Sequence, residues 1–142
     1  MSSAKLRGLE TGKMLQFYMQ TARELVRAVP LNRPSAYFVK DTLQDIAYGA
    51  QAIGRSNTHD VELRDTVWMT RDVEDPGISL AHELAHVLAD TGKHSPDPRN
   101  LMHESTSPGH DALTKEQCEL ITATGSRNGL LAPAAGTAAG AQ

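Results

Sequence analysis

The stretch that most constrains the fold is PGISLAHELAHVLADT, residues 76–91. Asp75-Pro76 predicts a helix start, with an acidic N-cap and proline in the first helical position. Ile78, Leu80, Ala81, Leu84, Ala85, Val87 and Leu88 then cover most of the helix circumference, which predicts a helix buried centrally. Gly92 is the expected C′ residue that ends it. Yet this apolar helix carries His82, Glu83 and His86, and buried polar groups need partners.

A shared metal ion supplies those partners. His82 and His86 are one turn apart and project from one face. Two neutral imidazoles at that spacing can bind one tetrahedral zinc at about 2.0–2.1 Å each. Glu83 lies about 100° round the helix from His82, beside the ion without ligating it, where a carboxylate can act as general base. A third protein ligand must come from beyond Gly92. His94 is the first choice, with Asp90 the nearest carboxylate rival and Glu104 and His103 later ones. Three ligands leave the fourth zinc position open, as in catalytic sites. A carboxylate third ligand, Glu104 or Asp90, would mean a zinc protease of another class, and His94→Ala would then keep its zinc. A non-catalytic metal-containing binding module is a further reading, and the presence of Glu83 speaks against it.

Around this helix the chain reads as α+β. Thr11 to Val29 predicts an opening helix, and SAYFVK from Ser35 to Lys40 a strand. A second helix is expected from Asp41 or Thr42, with Leu43, Ile46, Ala47, Ala50 and Ile53 as its stripe and Gly54 closing it. VELRDTVWMT, residues 61–70, predicts one or two strands, with Val67 and Met69 on one face and Trp68 on the other. Lys93 to Asp111 reads as loop. A last helix begins at Thr114, with Gln117 completing a capping box and Leu113 and Cys118 forming a hydrophobic staple. Residues 1–129 are expected to form one domain, a small mixed twisted sheet packed on helices. Residues 130–142, LLAPAAGTAAGAQ, read as a low-complexity, disordered tail.

Composition narrows the partners. The chain has 142 residues, of which 39% are hydrophobic and 22% charged, enough for one domain with a core. A net charge of -3 without a basic cluster argues against nucleic acid and anionic membranes. No apolar run is long enough to span a membrane. MSSAKLRGLETGKM lacks the apolar core of a secretory signal, so the chain is expected to stay where it is made, to be cut from a longer precursor, or to leave by another route. Cys118 is alone, which excludes an intrachain disulfide and a cysteine zinc site.

HELAH, His94 and the following SPDPRNLM together resemble the metzincin zinc endopeptidases, and most closely the matrixins (the matrix metalloproteinase catalytic domain). The resemblance runs over His82 to Met102, with Ser95, Asp97, Pro98 and Leu101 at matching places. It implies that Met102 lies in a Met-turn, a tight 1,4-turn under the three imidazoles, and that Glu83 is the catalytic base. The family pattern is HExxHxxGxxH, whereas here His94 follows His82 by twelve positions instead of ten. An active-site helix longer by about one turn is the expected accommodation. The tyrosine-proline that often follows the matrixin methionine is replaced by His103-Glu104. His59 is the only histidine before the motif, so neither a histidine-rich structural zinc segment nor a cysteine pro-segment is expected within these 142 residues.

The activity implied is zinc-dependent peptide hydrolysis by a monomer on a peptide or protein substrate, with a protein inhibitor as a further possible partner. The resemblance also suggests a secreted or delivered effector domain. An extended substrate would add along an edge strand, expected at Thr66–Thr70, where Trp68 either lines the cleft or, more commonly for such a residue, packs in the sheet. His103 and His110 either tune a subsite or are solvated. Asp60, Glu62, Asp65, Asp72 and Glu74 read as a solvated acidic face, since they lack a calcium-loop pattern.

Overall fold

The computed structural model describes residues 20–39, 50–56, 60–70 and 73–133. Three strands, β1 (Ser35–Val39), β2 (Ala50–Ile53) and β3 (Thr66–Thr70), form a mixed sheet in the order β1-β3-β2. β3 is parallel to β1, with Tyr37 opposite Trp68, and antiparallel to β2, with Ala52 opposite Val67. Helix α1 covers 20–28, α2 runs Pro76–Ala89 and α3 runs Lys115–Arg127. Among the described residues the result is a small α+β fold, a three-stranded mixed sheet packed against three helices.

β3 is buried along its whole length because both faces and both edges are occupied. On one face Trp68 stacks on Tyr37, ring centroids 4.7 Å apart, and the pair packs with Val26 of α1, Ile53 and Leu63. On the other, Val67 and Met69 meet Val87, Leu80, Leu84 and Leu88 of α2. A third cluster joins Ala85 to Leu101, Met102, Leu113 and Ile121, so that α2 is sandwiched between the sheet and α3. This is why α2 is apolar nearly all round. No helix among the described residues is long and apolar enough to cross a membrane.

Several expectations need correction. The predicted second helix ends in strand: Ala50 and Ala52 face α2 while Ile53 joins the Trp68 cluster, a period of two. Its earlier part, at 40–49, lies outside the described residues, as does 11–19 of the opening helix. Residues 61–70 give a 3-10 turn at Val61–Leu63 and a single strand, separated by Asp65 in a left-handed conformation (φ 62°). β3 is central, so Thr66–Thr70 has no free edge to offer a substrate, and Trp68 is a core residue whose Nε1 donates to Thr66 Oγ1 at 2.8 Å.

The acidic face is a set of ion pairs. Asp60 takes Arg23, Glu62 takes Arg27, and buried Asp65 takes Arg55 at 3.1 Å. Asp72 and His59 lie outside the described residues. The capping box of α3 forms as expected, Gln117 N donating to Thr114 Oγ1 and Thr114 N to Gln117 Oε1. Cys118, however, is exposed, and Leu113 turns instead to the Met102 cluster. Leu130, the first residue of the expected tail, is buried against Val67, Met69 and Val87, while 134–142 lie outside the described residues.

Candidate metal centre

α2 begins one residue after Asp75, which adopts a left-handed conformation and makes no side-chain cap; the first helical bond is Ser79 N to Asp75 O at 3.0 Å. The helix stops at Ala89, earlier than Gly92 predicted. Asp90 is the left-handed residue (φ 50°), and its N–H closes on the His86 and Val87 carbonyls. Its carboxylate accepts from Ser56 N at 2.9 Å and Ser56 Oγ at 3.0 Å, which anchors the turn to the residues after β2. The two positions added between the first and third histidines therefore lie in the loop after a normal-length helix. The expected extra helical turn is absent.

That loop brings His94 back to α2. Ser95 N donates to Met102 O at 2.8 Å, fixing the residue beside His94 to the following turn. His82, His86 and His94 each offer a ligand nitrogen within 4.8 Å of the others, a cluster that can hold a metal ion. His82 and His86 are buried and His94 is exposed. Asp90 and Glu104, the carboxylate rivals, are not in this group; Asp90 is committed to Ser56 and Glu104 is solvent-exposed. His103 is not in it either, its Nδ1 lying 3.3 Å from Ser105 O, and its ring stands 5.0 Å from that of His110.

The hydrogen bonds around the two helical histidines define their donor atoms. His82 Nδ1 lies 2.7 Å from Leu101 O, and His86 Nδ1 2.8 Å from Thr91 O. A carbonyl can only accept, so each Nδ1 carries the proton and each Nε2 presents a lone pair. These Nε2 atoms are 3.0 Å apart, and His86 Nε2 is 3.3 Å from His94 Nε2. Two lone pairs at 3.0 Å repel unless a cation stands between them. A tetrahedral zinc with bonds of about 2.0–2.1 Å separates its donor nitrogens by about 3.3–3.4 Å, close to the distances observed. The three residues thus suit a shared metal ion in number and donor type, and the two shortest nitrogen separations are compatible with tetrahedral coordination.

Electrostatics agree with that assignment. Burial, the largest cause, pushes the His86 imidazole down to about 4, against the opposing effect of the Thr91 carbonyl, and lowers His82 against that of Leu101. Both rings are therefore neutral at neutral pH, the ligating form. Glu83 is buried beside them; burial lifts its carboxyl to about 7, partly offset by the Ala52 N–H that donates to it.

Met102 sits in a 1,4-turn, since His103 N donates to Asn100 O at 3.1 Å. It is buried between Ala85 and Leu101. A cavity of about 420 Å³ between α2 and α3 is walled by Ala85, Ala89, His94, Met102 and Ile121. Among residues that contribute to the centre, sequence reasoning missed Asn100, Ala52 and the two carbonyls that fix the imidazoles. Only Asn100, inside SPDPRNLM, carried a sequence signal. No protein-family profile, no curated protein and no solved structure matches this chain. The fold and site define a small α+β protein with a candidate three-histidine metal centre.

Proposed function

We propose that the protein is a zinc-dependent endopeptidase of metzincin type, with His82, His86 and His94 as ligands and Glu83 as general base. The observation that carries this reading is the convergence of three imidazole nitrogens, two with their tautomers fixed by backbone carbonyls, on a helix whose Glu83, following His82 in the chain, is also buried. Zinc held there would supply Lewis acidity, polarising a peptide carbonyl and acidifying water. Glu83, in its ionised form, takes the proton from the attacking water and delivers it to the leaving amine. Met102, in the turn that carries the His82 acceptor, supports the imidazoles from beneath.

The substrate strand is reassigned to β2, which lies at a sheet edge among the described residues. Ala52 on that strand donates its N–H to Glu83, which links the strand directly to the general base. A peptide laid along β2 would bring its carbonyl toward Glu83 while gaining main-chain hydrogen bonds.

The test is zinc content by elemental mass spectrometry in wild type and His94→Ala, followed by hydrolysis of a quenched-fluorescence peptide library. About one zinc per wild-type chain, its loss in His94→Ala, and at least a 10²–10⁴-fold drop in hydrolysis for zinc-loaded Glu83→Ala are expected. Full zinc in His94→Ala, or hydrolysis undiminished in Glu83→Ala, would refute the reading.

A further inference from the structure

Asn100 and Gln117 lie on different segments, one in the turn before Met102 and the other in the first turn of α3. Their amides pair reciprocally: Asn100 Nδ2 donates to Gln117 Oε1 at 2.8 Å, and Gln117 Nε2 donates to Asn100 Oδ1 at 3.0 Å. Neither amide is isolated. Asn100 Oδ1 also accepts from Met102 N at 2.8 Å, and Gln117 Oε1 from Thr114 N at 2.8 Å. Asn100 is 3% exposed, so these bonds are made away from competing water.

Between Asn100 and Met102 stands Leu101, whose carbonyl accepts from His82 Nδ1. Every neighbouring polar group of the turn is fixed. Leu101 N donates to Ala112 O at 2.7 Å, Met102 N is held by Asn100, and Met102 O accepts from Ser95 N, beside His94. The direction of the Leu101 carbonyl is therefore set from both sides, and with it the plane and tautomer of the His82 ring. Because Gln117 is the N3 residue of the α3 capping box, one continuous chain of hydrogen bonds runs from Thr114 through Gln117 and Asn100 to the turn that holds His82.

We propose that Asn100 and Gln117 are a positioning pair that orients His82 through the Leu101 carbonyl, and so sets the affinity of the centre for its metal. The proposal rests on the three-histidine reading of the site. Neither amide touches the ion; both act through the ligand's outer hydrogen bond, a kind of contact whose loss costs about 10–100-fold in metal affinity.

The experiment measures zinc dissociation constants by competition with a chromophoric chelator, and records the visible spectrum of the cobalt-substituted protein. It compares wild type, Asn100→Ala, Gln117→Met and the double variant with Thr114→Ala, all confirmed as folded by circular dichroism. Gln117→Met keeps the length and helix preference of the side chain at a half-exposed position, so it folds even where Asn100→Ala does not. Thr114→Ala removes the capping hydroxyl and lowers stability but leaves the amide pair intact.

Each variant of the pair is expected to weaken zinc about 10–100-fold and to shift the cobalt bands. The double variant should weaken it no further than the worse single one, and Thr114→Ala should stay within about twofold of wild type. Affinities that follow thermal stability alone, with Thr114→Ala as weak as Gln117→Met, would overturn the proposal. If wild type binds one zinc that His94→Ala loses, and Gln117→Met still binds it normally, the positioning role fails while the site stands. If wild type binds no zinc, both fall together.

Discussion

His82 Nε2 and His86 Nε2 face each other at 3.0 Å with no proton between them, because each ring spends its single hydrogen on a backbone carbonyl beyond the end of the helix. The metal-free chain therefore holds a repulsive pair in a buried place, next to a carboxyl whose own ionisation burial opposes. The protonation of these groups gives the centre a measurable signature.

In the metal-free protein, Glu83 titrates near 7 folded against 4.5 unfolded. Between those values the folded state binds more protons, so this group lowers stability as pH rises through the window. Glu83→Gln should be more stable than wild type by up to about 3 kcal/mol at pH 8 and by little at pH 4.5. His86 acts in the opposite sense. Its folded value near 4 lies below the unfolded 6.5, so its unfolded state binds more protons between them and stability rises with pH there. Urea unfolding in chelator should show that rise more clearly in Glu83→Gln than in wild type; identical pH profiles for the two would contradict this account.

Asp90 is placed at the end of the helix that carries His82 and His86 but is bonded to Ser56. Asp90→Ala should bind zinc as wild type does and lose about 1–2 kcal/mol, through the lost hydrogen bonds and a left-handed alanine. Zinc stoichiometry together with a denaturant midpoint separates the two effects, and a loss of zinc in folded Asp90→Ala would restore this carboxylate as a ligand.

Trp68 belongs to the sheet core, stacked on Tyr37. Trp68→Phe should cost about 1–3 kcal/mol and Trp68→Ala about 3–5 kcal/mol, with the zinc affinity of any folded Trp68→Phe unchanged. A loss of zinc affinity in folded Trp68→Phe at constant stability would instead tie Trp68 to the candidate metal centre.

The Arg23 guanidinium, hydrogen-bonded to Asp60, holds its carboxyl below the ordinary 3.8. The stabilisation from this pair is complete above pH 3.8 and disappears as pH falls through the depressed value. Asp60→Asn should cost about 1 kcal/mol or less at pH 7 and nothing near pH 2, read as the difference between the two acid-unfolding curves. An undiminished difference at pH 2 would show that packing, and not charge, holds Asp60.

What could be read from residue order follows from how local each feature is. α2 and α3 announce themselves through apolar spacing, Pro76 and the Thr114–Gln117 box, all within one or two turns. The HELAH spacing places two imidazoles on one face by helical geometry alone. β2 reads as helix in the sequence because Ala50 and Ile53 also fit a helical stripe, and what makes them a strand is pairing with residues of β3 distant in the chain. The helix stop at Asp90 is anchored by Ser56, more than thirty residues earlier, so local sequence points to Gly92 instead. The direction of His82 depends on Leu101 and Asn100, where a backbone carbonyl leaves no residue preference to read.

The turn at Asp90 has a consequence for the protein's lifetime. Gly92 and Lys93 are exposed between the helix that carries His86 and the residue His94. An ion shared by those two histidines would pin both ends of this short segment at once. Stripped of it, the same exposed segment is a natural place for a protease to cut. Loading with metal would then shield this segment from cutting, so that empty molecules are the ones cleared first.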